Sequence, residues 1–364
     1  MKESLFYTTM ARFDAARRID SLPQGHRQGR VHGHGFVVQV RARPPIAGSV
    51  PPGTEVAHLG RLSHECVAPL DHRFLNDLVT DPTDERLARW IRDHLDWPGI
   101  DMVGLQSTWN AGVSLDGRLH AHPWRLFSFE AAHRLPHVPP GHPCGRMHGH
   151  GFRVIIHVDG NASTQMTPFD PDDIDRHWHP LQRQLHAHCL NEIPGLENPT
   201  SEMLAGWIWQ RLEGRLPERF RVTVLETASS GTSFDGQHHR IWKEFTLDSA
   251  VRLARVSRED PLHRLHGHTF TLRLHLSASL DAILGWTVDF GDVKRLFLPV
   301  FSLLDHHPLH ELNGLEDNDC LSLARWIHSQ TAPLLPQLDR IDLLETPGCG
   351  VILATQDAAK PLFP

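Results

Sequence analysis

Between residues 124 and 135 the chain reads WRLFSFEAAHRL, with apolar and polar positions alternating. A period of two predicts a half-buried β-strand. A loop rich in proline, glycine and histidine follows, and GHGFRVIIHVDG (149–160) predicts a second strand. Two helical stretches come next. The first is DIDRHWHPLQRQLHAH (173–188), and the second lies within NPTSEMLAGWIWQRLEG (198–214), where Thr200 or Ser201 can cap the free amides. FRVTVLETAS (220–229) then predicts a third strand, with a short hairpin partner after it. The order is strand, strand, helix, helix, strand, strand.

The same order occurs three times. Phe13, Phe129 and Phe245 open matching segments. HGH recurs at His32-Gly33-His34, His148-Gly149-His150 and His266-Gly267-His268. A Trp-Ile pair recurs at Trp90, Trp207 and Trp326. All three landmarks share a period of about 117 residues, which defines an internal repeat. Repeats 1, 2 and 3 are expected at 1–122, 123–241 and 242–364. No Gly/Ser linker separates them, so tight packing is expected rather than swinging domains. One four-stranded sheet alone would leave open edges, and three copies in one chain can close them. The expected fold is α+β: three tandem ββααββ units closing a twelve-stranded antiparallel barrel with helices outside.

The HGH copies carry the candidate chemistry. On a strand, residues two apart share a face, so His148 and His150 point the same way. His133 ends the preceding strand, which an antiparallel turn brings alongside. Three imidazoles suit Zn²⁺ and leave a fourth position open, the pattern of a catalytic rather than a structural site. Cys144 stands four residues before His148. The other repeats differ. Arg17 and Gln28 stand in the places of His133 and Cys144 in repeat 1, and Val251 and Leu262 in repeat 3. Two histidines hold Zn²⁺ poorly and an arginine repels it, so one metal ion per chain is expected.

Composition narrows the class. Apolar residues make up 40% and charged residues 22%, as in a soluble globular protein, and the formal net charge is −7. Arginines are scattered, with no basic stripe for nucleic acid. The N-terminal MKESLFYTTMARFDAARR lacks an apolar core and cleavage site for export, and no stretch is apolar enough to span a membrane. A cytoplasmic protein is expected. None of the five cysteines forms a CxxC pair, so reduced thiols are expected, with Cys144 alone carrying a role.

The middle repeat resembles a known family. FSFEAAHRLPHVPPGHPCGRMHGHGF, LNEIPGLENPTSEMLAGWIW and VLETAS are together similar to the 6-pyruvoyltetrahydropterin synthase superfamily of tunnelling-fold proteins. The spacing from Cys144 to His148 and His150 is similar to its bacterial branch, 6-carboxytetrahydropterin synthase. Repeats 1 and 3 match in framework only. The family's usual chain holds one such unit. Three units form a barrel and two barrels stack, so the resemblance implies a covalent pseudo-trimer that associates as a homodimer. It implies zinc on His133, His148 and His150, with Cys144 as proton acceptor. It also implies an Asp-His pair and a glutamate contributed by a neighbouring unit. Repeat 2 reads His186-Ala187 at the pair. Repeat 1 keeps Asp71-His72 but has Gln106 as the nearest equivalent of the glutamate. Repeat 3 keeps Asp305, His306 and Glu345. The expectation is therefore one composite site, with metal and Cys144 from repeat 2 and the relay from repeat 3.

The reaction so implied converts 7,8-dihydroneopterin triphosphate to 6-carboxytetrahydropterin, acetaldehyde and triphosphate. Bound zinc would acidify the side-chain carbons and stabilise enolate-like charge. Cys144 would act as base, and His306, oriented by Asp305, would pass protons on the other face. Glu345 would accept hydrogen bonds from the pterin. Glu226 has no role fixed by the sequence. Two alternatives stay open: a 6-pyruvoyltetrahydropterin-type reaction, and a pterin-binding scaffold whose catalysis has decayed.

Overall fold

A computed structural model describes residues 3–159 and 170–355. Met1, Lys2 and Gly160, the end of the expected second strand, lie outside the described residues. Repeat 1 supplies β1 (Ser4–Arg17), β2 (His32–Ala42), α1 (Glu55–Val67), the two-residue β3 (Arg73–Phe74), α2 (Asp84–His94), β4 (Ile100–Thr108) and β5 (Ala111–Asp116). The middle of the chain follows the same order with β6 (Ala121–His133), β7 (His148–Val158), α3 (Asp172–Leu185), β8 (His188–Cys189), α4 (Ser201–Leu212), β9 (Phe220–Thr227) and β10 (Ser230–Phe234). The last third adds β11 (His239–Val251), β12 (His266–Ser277), α5 (Phe290–Leu304), α6 (Cys320–Thr331), β13 (Leu338–Thr346) and β14 (Cys349–Ala354).

The hydrogen-bonded order runs β14-β13-β12-β11-β10-β9-β7-β6-β5-β4-β2-β1, and β1 pairs β14 again. Twelve long strands thus form the closed order expected from the sequence. The closing pair is antiparallel, with Ser4 opposite Ala354 and Thr8 opposite Gly350. No free edge remains on that path, which is how a long sheet avoids pairing with other chains. Among the described residues, no helix is long and apolar enough to cross a membrane.

Contacts group the chain into two compact bodies. One holds residues up to Ala121, Phe245–Arg273 and Phe297 onward, and the other holds His122–Glu244 and Leu274–Leu296. In the first body, Leu59 of α1, Leu87 and Ile91 of α2 and Leu323 and Ile327 of α6 are buried, as are Phe13 and Phe36 on the strands. Phe13 and Phe36 stack with centroids 4.7 Å apart.

In the second body α3 and α4 bury Ile174, Trp178, Leu181, Leu204 and Ile208 against Phe127, Phe129, Phe152 and Val154 of the strands. Phe129 stacks on Phe152 at 5.0 Å and Phe127 on Trp178 at 4.9 Å. Such pairs add about 0.5–1.5 kcal/mol each beyond the area they bury. Of the two capping candidates Thr200 is the one used: its hydroxyl accepts from the N–H of Met203. The repeated Trp-Ile pair divides. Ile91, Ile208 and Ile327 are all core, but of their partners Trp90, Trp207 and Trp326 only Trp207 is buried. Trp90 stacks on His94 nearer the surface.

Two backbone devices recur in every repeat, and neither shows in the sequence pattern. First, each third strand bulges one residue before its end. Register skips Ser107 between Gln106 and Thr108, Glu226 between Leu225 and Thr227, and Glu345 between Leu344 and Thr346. A bulge leaves one residue out of the ladder and re-aims its side chain. The position matching Glu226 in repeat 1 is therefore Ser107, and the expectation of Gln106 was off by one. Second, His72, Ala187 and His306 adopt left-handed backbone, with φ of 55°, 59° and 58°. Their N–H groups donate to the carbonyls of Asp14, Glu130 and Asp248 at 2.6–2.7 Å. None is glycine, so the conformation is strained, and such strain persists where surrounding structure enforces it.

Candidate metal centre

His133 ends β6 and stands directly opposite His148 at the start of β7. His150 lies two residues further on the same face. The bulge at the end of β9 turns Glu226 toward them. One ligand atom from each of His133, His148, His150 and Glu226 falls within 4.8 Å of all the others. Glu226 Oε1 lies 3.5 Å from His133 Nε2 and 3.3 Å from His150 Nε2. The sequence left Glu226 without a role. The signal that could have found it is the bulge, and a bulge is a property of register between strands rather than of one strand's residues.

Two of the rings have their tautomers set by the backbone. His133 Nδ1–H donates to the carbonyl of Pro199 at 3.0 Å, and His148 Nδ1–H to that of Arg146 at 2.8 Å. Each neutral ring therefore carries its lone pair on Nε2, facing the cluster. Metal-binding histidines are held this way, with the outer N–H on a carbonyl. His133 Nε2 and His150 Nε2 are buried and have no hydrogen-bond partner among the described residues. A buried imidazole nitrogen without a partner is costly unless something fills the gap. Burial, first, lowers the His133 pKa. Burial raises Glu226, but the imidazoles of His150, His133 and His148 around it outweigh that, so the net direction is down. Neutral imidazole and ionised carboxylate are the forms that bind a divalent cation. The residues fit a zinc ion.

Cys144 sits in the 3-10 turn Pro143–Gly145, outside the ligand cluster. Its carbonyl accepts from the N–H of Leu135 at 2.8 Å, as Gln28 does from Ile19 and Leu262 from Leu253. These matching contacts equate the three positions as the sequence spacing did. Burial, then the carboxylates of Glu226 and Asp289, push the Cys144 thiol up. A cation on the histidines is the charge that would oppose them.

The other two repeats are built differently. Arg17 is 3% exposed and pairs with Asp84 at 2.6 Å. Asp84 in turn accepts from Ser107 at the bulge, and Arg17 also donates to the carbonyl of Pro82. A paired guanidinium thus stands beside His32 and His34. Burial, followed by Arg17, lowers His34 to about 4. In repeat 3, Val251 is buried where His133 would be. Glu345 is half-buried at its bulge, and desolvation raises it to about 7 against the opposing effect of the nearby Cys320 thiol. Asp305 and His306 are joined, Oδ2 to Nδ1, at 2.9 Å, and Asp71 and His72 at 2.8 Å. In repeat 2, His186 Nδ1 accepts from the N–H of Glu130, doing the structural part of the aspartate's work, and Ala187 offers no side-chain base.

Metal content is accordingly expected to be one ion per chain. Elemental analysis of protein purified without added metal checks this. A value near three would mean that Arg17 and Val251 do not disable their sites.

Comparison with known proteins agrees with this organisation. The family model "6-pyruvoyl tetrahydropterin synthase" matches residues 7–104, 118–237 and 240–356. A 6-carboxy-5,6,7,8-tetrahydropterin synthase of Synechocystis sp. is 39% identical over 119 residues, which is 30% of this chain and 90% of that protein. A putative 6-carboxy-5,6,7,8-tetrahydropterin synthase of Archaeoglobus fulgidus is 33% identical over 100 residues, 27% of this chain and 82% of that protein. The structure of Caenorhabditis elegans 6-pyruvoyl tetrahydropterin synthase matches 32% of this chain and 95% of its own, at 16% identity and a TM-score of 0.30. With three family matches end to end over most of its length, this chain belongs to the 6-pyruvoyl tetrahydropterin synthase family.

Proposed function

We propose that the protein is a zinc-dependent 6-carboxytetrahydropterin synthase of 7-deazaguanine (queuosine) biosynthesis. It would convert 7,8-dihydroneopterin triphosphate and one water to 6-carboxy-5,6,7,8-tetrahydropterin, acetaldehyde and triphosphate. The observation that carries this reading is the cluster of His133, His148, His150 and Glu226, with unpartnered imidazole nitrogens turned inward. His133, His148 and His150 would hold the ion, which supplies Lewis-acid polarisation of substrate oxygens.

The chain's own groups do the rest. Cys144 takes a proton from a side-chain carbon of the substrate. Asp305 holds His306 by Nδ1, which leaves Nε2 free to carry a proton. Asp305, first by the hydrogen bond it accepts, raises the His306 pKa, so the ring gains a proton more readily near neutrality. Glu345 contacts the pterin from repeat 3. Glu226 stands at the same bulge position in repeat 2 and keeps the metal-side carboxylate. The protein works in the cytoplasm, where its five free thiols remain reduced.

Association as a homodimer of pseudo-trimers is part of the same reading. The residue just before each HGH is apolar and exposed: Val31 by 61%, Met147 by 54% and Leu265 by 60%. Three matched apolar residues in water fit a surface that a second copy covers. A monomeric mass by light scattering would remove this part.

The deciding experiment incubates the purified protein with 7,8-dihydroneopterin triphosphate and follows acetaldehyde, triphosphate and pterin products. Acetaldehyde with carboxytetrahydropterin is the expected outcome. 6-Pyruvoyltetrahydropterin would favour the other branch, and binding without turnover would favour a scaffold.

A further inference from the structure

The turn that carries Cys144 is capped by a histidine whose far side faces repeat 3. His142 Nδ1 accepts from the N–H of Cys144 at 3.2 Å. In the neutral ring the proton therefore sits on Nε2. That nitrogen lies 3.5 Å from Oδ2 of Asp289, a residue just ahead of α5. Asp289 Oδ1 accepts from the N–H groups of Gly291 and Asp292 at 2.6 and 3.1 Å, which fixes the carboxylate's direction.

The stretch bearing Asp289 is itself clamped onto repeat 2. Glu202, 2% exposed, accepts from both the N–H and the hydroxyl of Thr287. The Asn198 amide donates to the carbonyl of Leu284 at 2.8 Å, and the Thr200 hydroxyl to that of Gly285. His137 adds a bond from Nδ1 to the carbonyl of Ile283 at 2.9 Å. A buried carboxylate is tolerated only when its oxygens are satisfied, so Glu202 and Thr287 hold each other in place.

Repeat 3 provides an internal control for the cap. There Asp260 occupies the place of His142 and accepts from the N–H of Leu262 at 2.9 Å. The turn therefore does not need an imidazole to be capped. What the imidazole adds is reach, since its second nitrogen extends to Asp289.

We propose that Asp289, acting through His142, is a positioning residue that fixes the Cys144 turn beside the metal centre. Repeat 3 would thus help to build the site of repeat 2 through the backbone of the cysteine, apart from any relay group. The inference rests on Cys144 being the base, and it deepens that reading.

The variants His142→Asp and Asp289→Asn separate capping from positioning. The first reproduces the natural cap of Asp260, and the second keeps a good helix cap without the charge. Each is expected to lower kcat about tenfold with little change in KM, and the double variant to lose no more than either single one, as for two residues acting as one unit. Metal content and melting temperature should stay near those of the unaltered protein. A second readout does not depend on turnover: iodoacetamide labelling of Cys144, followed by mass spectrometry of its peptide. Labelling is expected to speed up about tenfold in both single variants, again without adding in the double one.

Unchanged labelling and kcat in both single variants, or losses that add, would overturn the proposal. If the unaltered protein shows no turnover but labelling responds as expected, the positioning stands and the assigned reaction fails. If turnover is present and neither readout moves, the reaction stands and the positioning fails. Should His142→Asp not fold, Asp289→Asn alone still decides through both readouts.

Discussion

Cys144→Ala is expected to abolish turnover while leaving the metal and the fold in place. Removing a positioned base costs about two to four orders of magnitude in rate. The structural cost is small by comparison. Cys144 is only partly buried, and its backbone, rather than its thiol, makes the contacts that shape the turn: the N–H to His142 and the carbonyl from Leu135. Alanine keeps both. The thiol also lies outside the group of His133, His148, His150 and Glu226, so metal binding should survive. Turnover of 7,8-dihydroneopterin triphosphate, elemental analysis and thermal unfolding read the three parts separately. Substantial remaining activity would sink the base assignment. Loss of the metal together with activity would make Cys144 a ligand.

The architecture was legible because strand alternation and helix caps are local. Each copy of the pattern lay within a dozen residues, and the threefold recurrence supplied the order of elements. The grouping of His133, His148 and His150 was legible for the same reason, since residues two apart on one strand must share a face. Glu226 was not. Its approach to the histidines depends on a bulge, where Leu225 and Thr227 stay in register and the residue between them leaves it. The same blindness put Gln106 where Ser107 belongs. The left-handed backbone at His72, Ala187 and His306 was equally hidden, because that conformation usually announces itself as glycine. Residues 281–289 were hidden for a third reason. Their partners Asn198, Thr200 and Glu202 are more than eighty positions away, and nothing local in either stretch names the other.

The relay is expected to come from repeat 3, so that His306→Ala cripples turnover and His72→Ala barely changes it. The two Asp-His pairs cannot be told apart by their own geometry. Nδ1 to Oδ2 is 2.9 Å in one and 2.8 Å in the other, and the rings are 76% and 78% exposed. What separates them is context. Repeat 3 combines its pair with Glu345, whereas repeat 1 has Ser107 at that bulge, already engaged with Asp84 and unable to serve as a carboxylate. Repeat 3 also sends residues 281–289 against the repeat that holds His133, His148 and His150, through Thr287 to Glu202 and Asp289 to His142. Alanine is an informative replacement because the fold already tolerates it there: Ala187 holds φ of 59° at the matching position of repeat 2. Both variants should therefore fold and keep their metal, and only His306→Ala should lose about two to four orders of magnitude in kcat, the worth of a positioned proton carrier. If His72→Ala is the inactive one, repeat 1 is the donor and Glu345 loses its place in the site. If neither variant is impaired, the repeats do not share a relay, and a pterin-binding protein becomes the better account of the chain.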